Sequence, residues 1–250
     1  MTSLEILGCR IDAVDREEAV TRIAALAAGG SGALVVTLGV EMVMAAQHDA
    51  EFRALVNGSA LSVCDTVGIL LAARVRGAAL RGRVTGVELV DALAERSARG
   101  ADLRLFLLGG AEGTAARAAS ALSARFPGAC ISGTRSGYFE QRENPAVVQA
   151  IKESGANVLL AGLGSPKQEK WIAGFAASAG CGVGIGVGGS FDVLAGNVQR
   201  APRAIQQAGL EWAYRLMREP SRWRRQLALP RFAFAAAAEI IRLKMGNRTN

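Results

Sequence analysis

Asn157-Val-Leu-Leu-Ala-Gly-Leu-Gly-Ser-Pro-Lys-Gln-Glu-Lys-Trp171 is an apolar run that ends in a glycine turn and passes directly into a polar helix start. It reads as strand, turn, helix. Ser165 is a good N-cap, Pro166 suits the first helical position, where no amide donor is needed, and Gln168 completes a Ser-x-x-Gln capping box. A helix that starts at the carboxyl end of a buried strand directs its unpaired amides and positive dipole end into the crevice where α/β proteins bind anionic ligands. Lys167 adds a charge there. A well-capped helix in an ordinary α/β core accounts for Ser165, Pro166 and Gln168 equally well, but it leaves the packed Lys-Gln-Glu-Lys-Trp block unexplained.

Working outward, the same unit recurs. Ala33–Leu38 has the length and β-branching of a buried strand and runs through Thr37 and Gly39 into a helix containing Glu41, Met42 and Ala46. Ala60–Cys64 runs into Asp65 and another helix, where Asp65 either caps that helix or stands at a strand end for chemistry. Thr85 and Glu88 form a capping box after Arg83, which gives Thr85 a structural role and leaves Arg83 without one. Leu103–Leu108 is a strand, Gly109-Gly110-Ala-Glu-Gly113 a turn and Thr114–Phe126 a helix. Cys130–Thr134 is the next strand, followed by Ser136-Gly-Tyr138-Phe139 and a helix over Pro145–Glu153. Gly182–Val187 is a strand ending in Gly188-Gly189-Ser-Phe-Asp192. Leu4–Gly8 reads as a short edge strand, and Asp15 with Glu18 caps a structural helix reaching Gly29. Strands alternating with helices at this spacing predict an α/β fold, a Rossmann-like, mostly parallel sheet with helices on both faces. Its glycine turns gather on one edge. That edge is the expected site.

The 250 residues, half of them apolar and 30 of them glycine, suit one α/β core with an appendage. The formal charge of +7 is unevenly spread: residues 200–250 hold 11 Lys/Arg and 3 Asp/Glu, a net of +8, so residues 1–199 are close to neutral. Two regions are therefore expected, a core over 1–199 and a basic helical appendage over 200–250. The appendage divides at Pro220 and Pro230 into three helical pieces. Arg215, Arg218, Arg222 and Arg225 fall on one helical face flanked by Trp212 and Trp223, and Phe232 opens an apolar patch. At about 1 kcal/mol per cation near an anionic surface, such a segment suits reversible attachment to lipid headgroups; a nucleic acid or a diphosphate is an equally anionic partner, and the apolar patch leaves homo-oligomerisation open.

No signal peptide is read at the amino end, and the uncharged run Ile23–Val40 is interrupted by Gly29-Gly-Ser-Gly32, too short on either side to span a bilayer. Cys9, Cys64, Cys130 and Cys181 are widely separated in apolar surroundings and are expected as buried thiols of a reducing compartment. His48 is the only histidine and is expected on an exposed helix face, which argues against histidine catalysis and histidine-bound metal. Without an Asp-x-Asp pair, a mechanism without metal is expected. Gly184, Gly186 and Gly189 match a dinucleotide-type glycine pattern, but it begins inside the strand and lacks the acidic ribose partner downstream. A nucleotide-binding oxidoreductase or epimerase, and a basic nucleic-acid-binding protein, stand as alternatives to a membrane-associated transferase.

Several blocks occur in one order: Thr37-Leu-Gly-Val-Glu-Met-Val43, Cys64-Asp-Thr-Val-Gly-Ile69, Arg83-Val-Thr-Gly86, Phe106-Leu-Leu-Gly-Gly110 and Gly137-Tyr-Phe139. Gly162-Leu-Gly-Ser-Pro-Lys-Gln-Glu-Lys-Trp171, Gly186-Val-Gly-Gly-Ser-Phe-Asp192, Arg200-Ala-Pro-Arg203 and Gly209-Leu-Glu-Trp-Ala-Tyr-Arg215 continue it. Together they resemble the WecG/TagA/CpsF glycosyltransferases, glycosyltransferase family 26. The resemblance implies an inverting, metal-independent transfer from a UDP-sugar to a polyprenyl-diphosphate-linked acceptor at the inner face of the plasma membrane. Bacterial cell-surface polysaccharide synthesis is the implied setting, without cofactor or nucleic acid. The sugar would be N-acetylmannosamine-like, glucose or a uronic acid. By position, Asp65 corresponds to the general base; Thr37, Arg83 and Gln168 to residues that hold donor and acceptor; Tyr138 and Asp192 to residues near the uracil and ribose. Arg215 and Arg222 are expected to neutralise the diphosphate. Gly109, Gly110, Gly188 and Gly189 lie in the turns, with Lys167 beside them, as expected substrate contacts. Gly39 replaces the family's usual Asn, and Thr66 its usual Gly or Ser.

Overall fold

The computed structural model describes residues 2–202, 204–205, 210–218 and 227–246. Six parallel strands form the central sheet: β3 (Ala33–Leu38), β4 (Leu61–Cys64), β5 (Leu105–Gly109), β6 (Ile131–Arg135), β7 (Val158–Gly162) and β8 (Val183–Gly186), in the order β4-β3-β8-β7-β5-β6. Strands buried on both faces need apolar residues at every position, as Val158, Leu159, Leu160 and Ala161 supply in β7. Alternate side chains then enter two cores. Leu159 and Ala161 face one; Val158 and Leu160 face the other.

The first core is covered by α2 (Val40–Ala46), α3 (Ala50–Gly58), α4 (Val67–Val75), α7 (Asn144–Glu153) and α8 (Lys167–Phe175). The second is covered by α1 (Arg16–Ala27), α5 (Gly86–Ala98), α6 (Thr114–Arg125) and α9 (Ser190–Leu194). Neighbouring strands β3 and β8 therefore send their chains to opposite faces, β3 into α2 and β8 into α9. Such a reversal leaves a crevice at the carboxyl ends.

The expected edge strand is half of a separate antiparallel hairpin, β1 (Ser3–Ile6) with β2 (Cys9–Asp12). Leu7 and Gly8 both have positive φ, the conformation of a tight two-residue turn matched to strand twist. Asp15 accepts from the Glu18 amide as the α1 cap, and Thr85 and Glu88 form their capping box at α5.

Beyond residue 200, a helix spans Glu211–Arg218 and another Ala228–Gly246. Pro230 does not divide the second: it lies in the first turn, where amides have no intrahelical acceptor and a missing donor costs nothing. That helix rests on α2 and α4, burying Phe232 and Ala236, and Glu239 pairs with Arg76 at 3.0 Å. The other expected break, Pro220, lies outside the described residues, as do Arg222, Trp223 and Arg225. Among the described residues no helix is long and apolar enough to cross a membrane.

Two further expectations are corrected. Cys9, Cys64 and Cys181 are buried, but Cys130, just before the edge strand β6, is exposed. His48 is exposed, though in the turn between α2 and α3 and not on a helix face.

Candidate active site

A cavity of about 310 Å³ opens where β3, β4, β7 and β8 end. Thr37, Gly39, Asp65, Arg83, Gln168, Gly188 and Gly189 all line it. Thr37 Oγ1 donates to the Gly186 carbonyl at 2.7 Å, tying β3 to β8 across the reversal. Its hydrogen is thereby committed, so toward a ligand the hydroxyl is an acceptor. Asp65 follows the last residue of β4, and the N-cap of α4 is Thr66, not Asp65. The capping role that competed for Asp65 is thus not the one it fills. Cys64 beside it is pushed up to about 12, by burial first and by the Asp65 charge second, which keeps it a neutral thiol and a poor nucleophile.

The Lys-Gln-Glu-Lys-Trp block divides its work. Trp171 is a core anchor, donating Nε1–H to Asn144 Oδ1 at 2.9 Å and stacking edge-on against Phe139. Lys170 reaches Asp49 and Glu51 at 3.2 and 3.0 Å. Lys167 lies over the Phe139 ring, outside the cavity lining. Gln168 and Glu169 turn inward and are almost wholly buried.

Helix α8 starts one residue later than expected. Its N-cap is Pro166 and no side chain caps it, so the Ser165–Gln168 box does not form. The Gln168 carboxamide is committed elsewhere: Oε1 accepts from the Gly188 amide at 3.1 Å and Nε2 donates to Glu169 Oε1 at 2.7 Å.

Gly184 and Gly186 explain themselves here. A Cβ on Gly184 would stand 2.4 Å from Ile172 Cγ2, and one on Gly186 2.6 Å from Gln168 Nε2 and 2.8 Å from Glu169 Oε1. Their lack of a side chain lets α8 close onto β8. The dinucleotide-like match at these positions reflects helix–sheet contact.

Other expected residues lie elsewhere along the sheet. Gly109 ends β5 and Gly110 opens the turn after it, both at positive φ, and the Gly137 amide donates to Gly110 O at 2.9 Å. Tyr138 is 83% exposed, and Asp192 in α9 accepts from Asn197 Nδ2 at 3.1 Å. None of these four lines the cavity. Arg215 belongs to the Glu211–Arg218 helix, but its side chain lies outside the described residues.

Arg200, Glu211 and Trp212 also line the cavity and were not expected as site residues. Arg83 Nη2 pairs with Glu211 Oε2 at 3.2 Å, both largely buried, which joins the 211–218 helix to the cavity wall. Arg200 pairs with Glu88 at 3.1 Å. Burial pushes the Glu88 carboxyl up, but the Thr85 amide and hydroxyl and then Arg200 outweigh it, and the pKa is lowered. The signal was present in the Arg200-Ala-Pro-Arg203 and Gly209-Leu-Glu-Trp212 blocks, whose polar residues have no place in an ordinary apolar helix face. Among the described residues no group of three His, Cys, Asp or Glu side chains stands together as a metal ligand set.

A parallel α/β sheet with a polar cavity at its chain reversal, lined by arginines and by a carboxyl side chain at a strand end, is where such folds bind their ligands, and the charges suit an anionic one. The profile of the glycosyl transferase WecG/TagA/CpsF family matches residues 4–246, and the chain belongs to that family; it is a glycosyltransferase. It is similar to the N-acetylglucosaminyldiphosphoundecaprenol N-acetyl-beta-D-mannosaminyltransferase of Bacillus spizizenii, 33% identical over 205 residues, covering 82% of this chain and 78% of that protein. The protein of the same name from Bacillus subtilis is 32% identical over 208 residues, covering 83% and 80%.

Proposed function

We propose that the chain transfers a sugar from a UDP-sugar to a hydroxyl of a polyprenyl-diphosphate-linked sugar, with inversion and without a metal ion, in bacterial cell-surface polymer synthesis. The observation that carries this reading is the convergence of Asp65, Thr37, Arg83 and Gln168 on one cavity. Asp65 takes the proton from the acceptor hydroxyl as its oxygen bonds to the anomeric carbon and the bond to UDP breaks. Arg83, with Arg200 near it and Arg215 and Arg222 from the appendage, offsets the charge that develops on the departing diphosphate. At about 310 Å³ the cavity is at the small end of ligand sites, which run roughly 300–1,000 Å³, so it suits the reacting sugars and the adjoining phosphate. The nucleoside then extends along the sheet edge toward Gly109, Gly110, Tyr138 and Asp192.

Residues 200–250 act as a basic appendage to the 1–199 core and hold the enzyme peripherally on the inner face of the plasma membrane. Exposed Leu71 and Val75 on α4, with Phe234 and Ile241 on the helix packed against it, support this reading. Calorimetry tests donor recognition: UDP binds saturably without added metal, whereas NAD and a short DNA duplex do not. NAD or DNA binding in the absence of UDP binding would contradict the proposal.

Position 39 bears on which sugar is used. Gly39 has φ −108, open to any residue, and a Cβ there would meet only Thr66 Cγ2 at 3.4 Å. A Cβ is therefore accommodated at this position of the cavity lining. Gly39→Asn is expected to raise turnover with UDP-N-acetylmannosamine, measured against UDP-glucose; unchanged or lower turnover would reject a carboxamide role at this position.

A further inference from the structure

Glu169 is a carboxyl group with no exposed surface, and its Oε2 makes no hydrogen bond of ordinary length, the Ser165 side chain being only a weaker polar neighbour. No ion pair reaches it among the described residues. A Glu in the first turn of a helix ordinarily folds back onto the N-cap amide, but the N-cap of α8 is Pro166, which has none. The side chain instead passes under β8, into the space that Gly186 leaves by lacking a Cβ. There its Oε1 accepts from Gln168 Nε2 at 2.7 Å. A buried group of this kind calls for an explanation, since an apolar side chain of similar volume would fill the same space.

The carboxamide between Glu169 and Gly188 can face only one way. The Gly188 amide can only donate, so the oxygen of Gln168 must lie toward it and the NH2 toward Glu169. An acceptor at position 169 therefore holds that rotation, and one Nε2 hydrogen remains for the cavity that Gln168 lines. The same bond braces the turn at Gly188, which forms the cavity floor beside Thr37.

We propose that Glu169 is a positioning residue: together with the Gly188 amide, its buried carboxyl oxygen holds the Gln168 carboxamide in one rotation and so presents one amide hydrogen to an oxygen of the bound sugar or phosphate. This rests on the transferase reading of the cavity. The group acts as a hydrogen-bond acceptor. Burial raises the Glu169 pKa, and the Gln168 amide, Ser165 and the Glu169 backbone amide only partly oppose it.

Two variants separate positioning from mere structure. Glu169→Gln keeps an acceptor oxygen and is expected to hold kcat/KM within about threefold, whereas Glu169→Leu is expected to lose about thirtyfold or more through a misplaced substrate contact. The thermal midpoint of Glu169→Leu is expected to stay close to that of the wild type, because the lost bond to Gln168 is offset by removal of a buried carboxyl group. A second readout needs no transfer activity. The side-chain amide resonances of Gln168, assigned by their loss in Gln168→Met, stay as two separate, slowly exchanging signals in the wild type and Glu169→Gln. In Glu169→Leu they collapse toward solvent-exchanging positions. Activity of Glu169→Leu within threefold of the wild type, equal losses in both variants, or unchanged Gln168 signals in Glu169→Leu would each overturn the proposal. A wild-type chain without transfer activity would contradict the proposed function instead, leaving the amide signals to decide this inference.

Discussion

Asp65→Asn is expected to lower the turnover of sugar transfer about a thousandfold, within the range for removing a general base. Asn keeps the shape and hydrogen-bonding reach of Asp but cannot accept the acceptor's proton. The α4 start rests on Thr66 as its N-cap, so helix and strand should survive the change. UDP affinity, read by calorimetry, is expected to stay near that of the wild type, because the proton-accepting carboxylate has no counterpart in binding the leaving nucleotide. A rate close to wild type would remove Asp65 from the chemistry.

Arg83 carries the second large effect. Arg83→Ala is expected to cost about a hundredfold in kcat/KM, the scale of losing one charge-stabilising donor. Arg83→Lys should recover only part of this, since an ammonium lacks the planar fork that engages two phosphate oxygens. The Arg83–Glu211 pair offers a competing explanation, that Arg83 merely anchors the 211–218 helix. Glu211→Gln separates the two. If Arg83 acts on the substrate, Glu211→Gln retains most activity; if it is only an anchor, the two single variants lose equally and the double variant loses no more.

The sheet was legible because parallel strands buried on both faces must be apolar throughout, and each run ended in glycine or a polar cap. The crevice followed from the alternation of strands and helices. Several site residues stood out because local structure gave them nothing to do, as with Arg83 beside a self-sufficient capping box and the block after Ser165. What local pattern could not reveal was tertiary contact. Ser165 and Gln168 satisfy the capping-box pattern, yet the Gln168 carboxamide is drawn across to the Gly188 turn, which is distant in sequence. Gly184 and Gly186 look like a nucleotide fingerprint until Ile172 and Gln168 are seen pressed against them. Nothing in the local pattern marks Glu169 as the member of its block that is fully buried. Pro230 reads as a break because its place within the helix, the first turn, depends on where the helix starts.

The most direct test is a transfer assay with the purified chain, a panel of UDP-sugars including UDP-N-acetylmannosamine, and a polyprenyl-diphosphate-linked N-acetylglucosamine acceptor, run with a metal chelator present. The expected result is a lipid-linked disaccharide of inverted anomeric configuration with release of UDP, at a rate the chelator does not change. Absence of transfer from every UDP-sugar to the lipid-linked acceptor, or transfer that stops when metal is chelated, would contradict the proposed reaction.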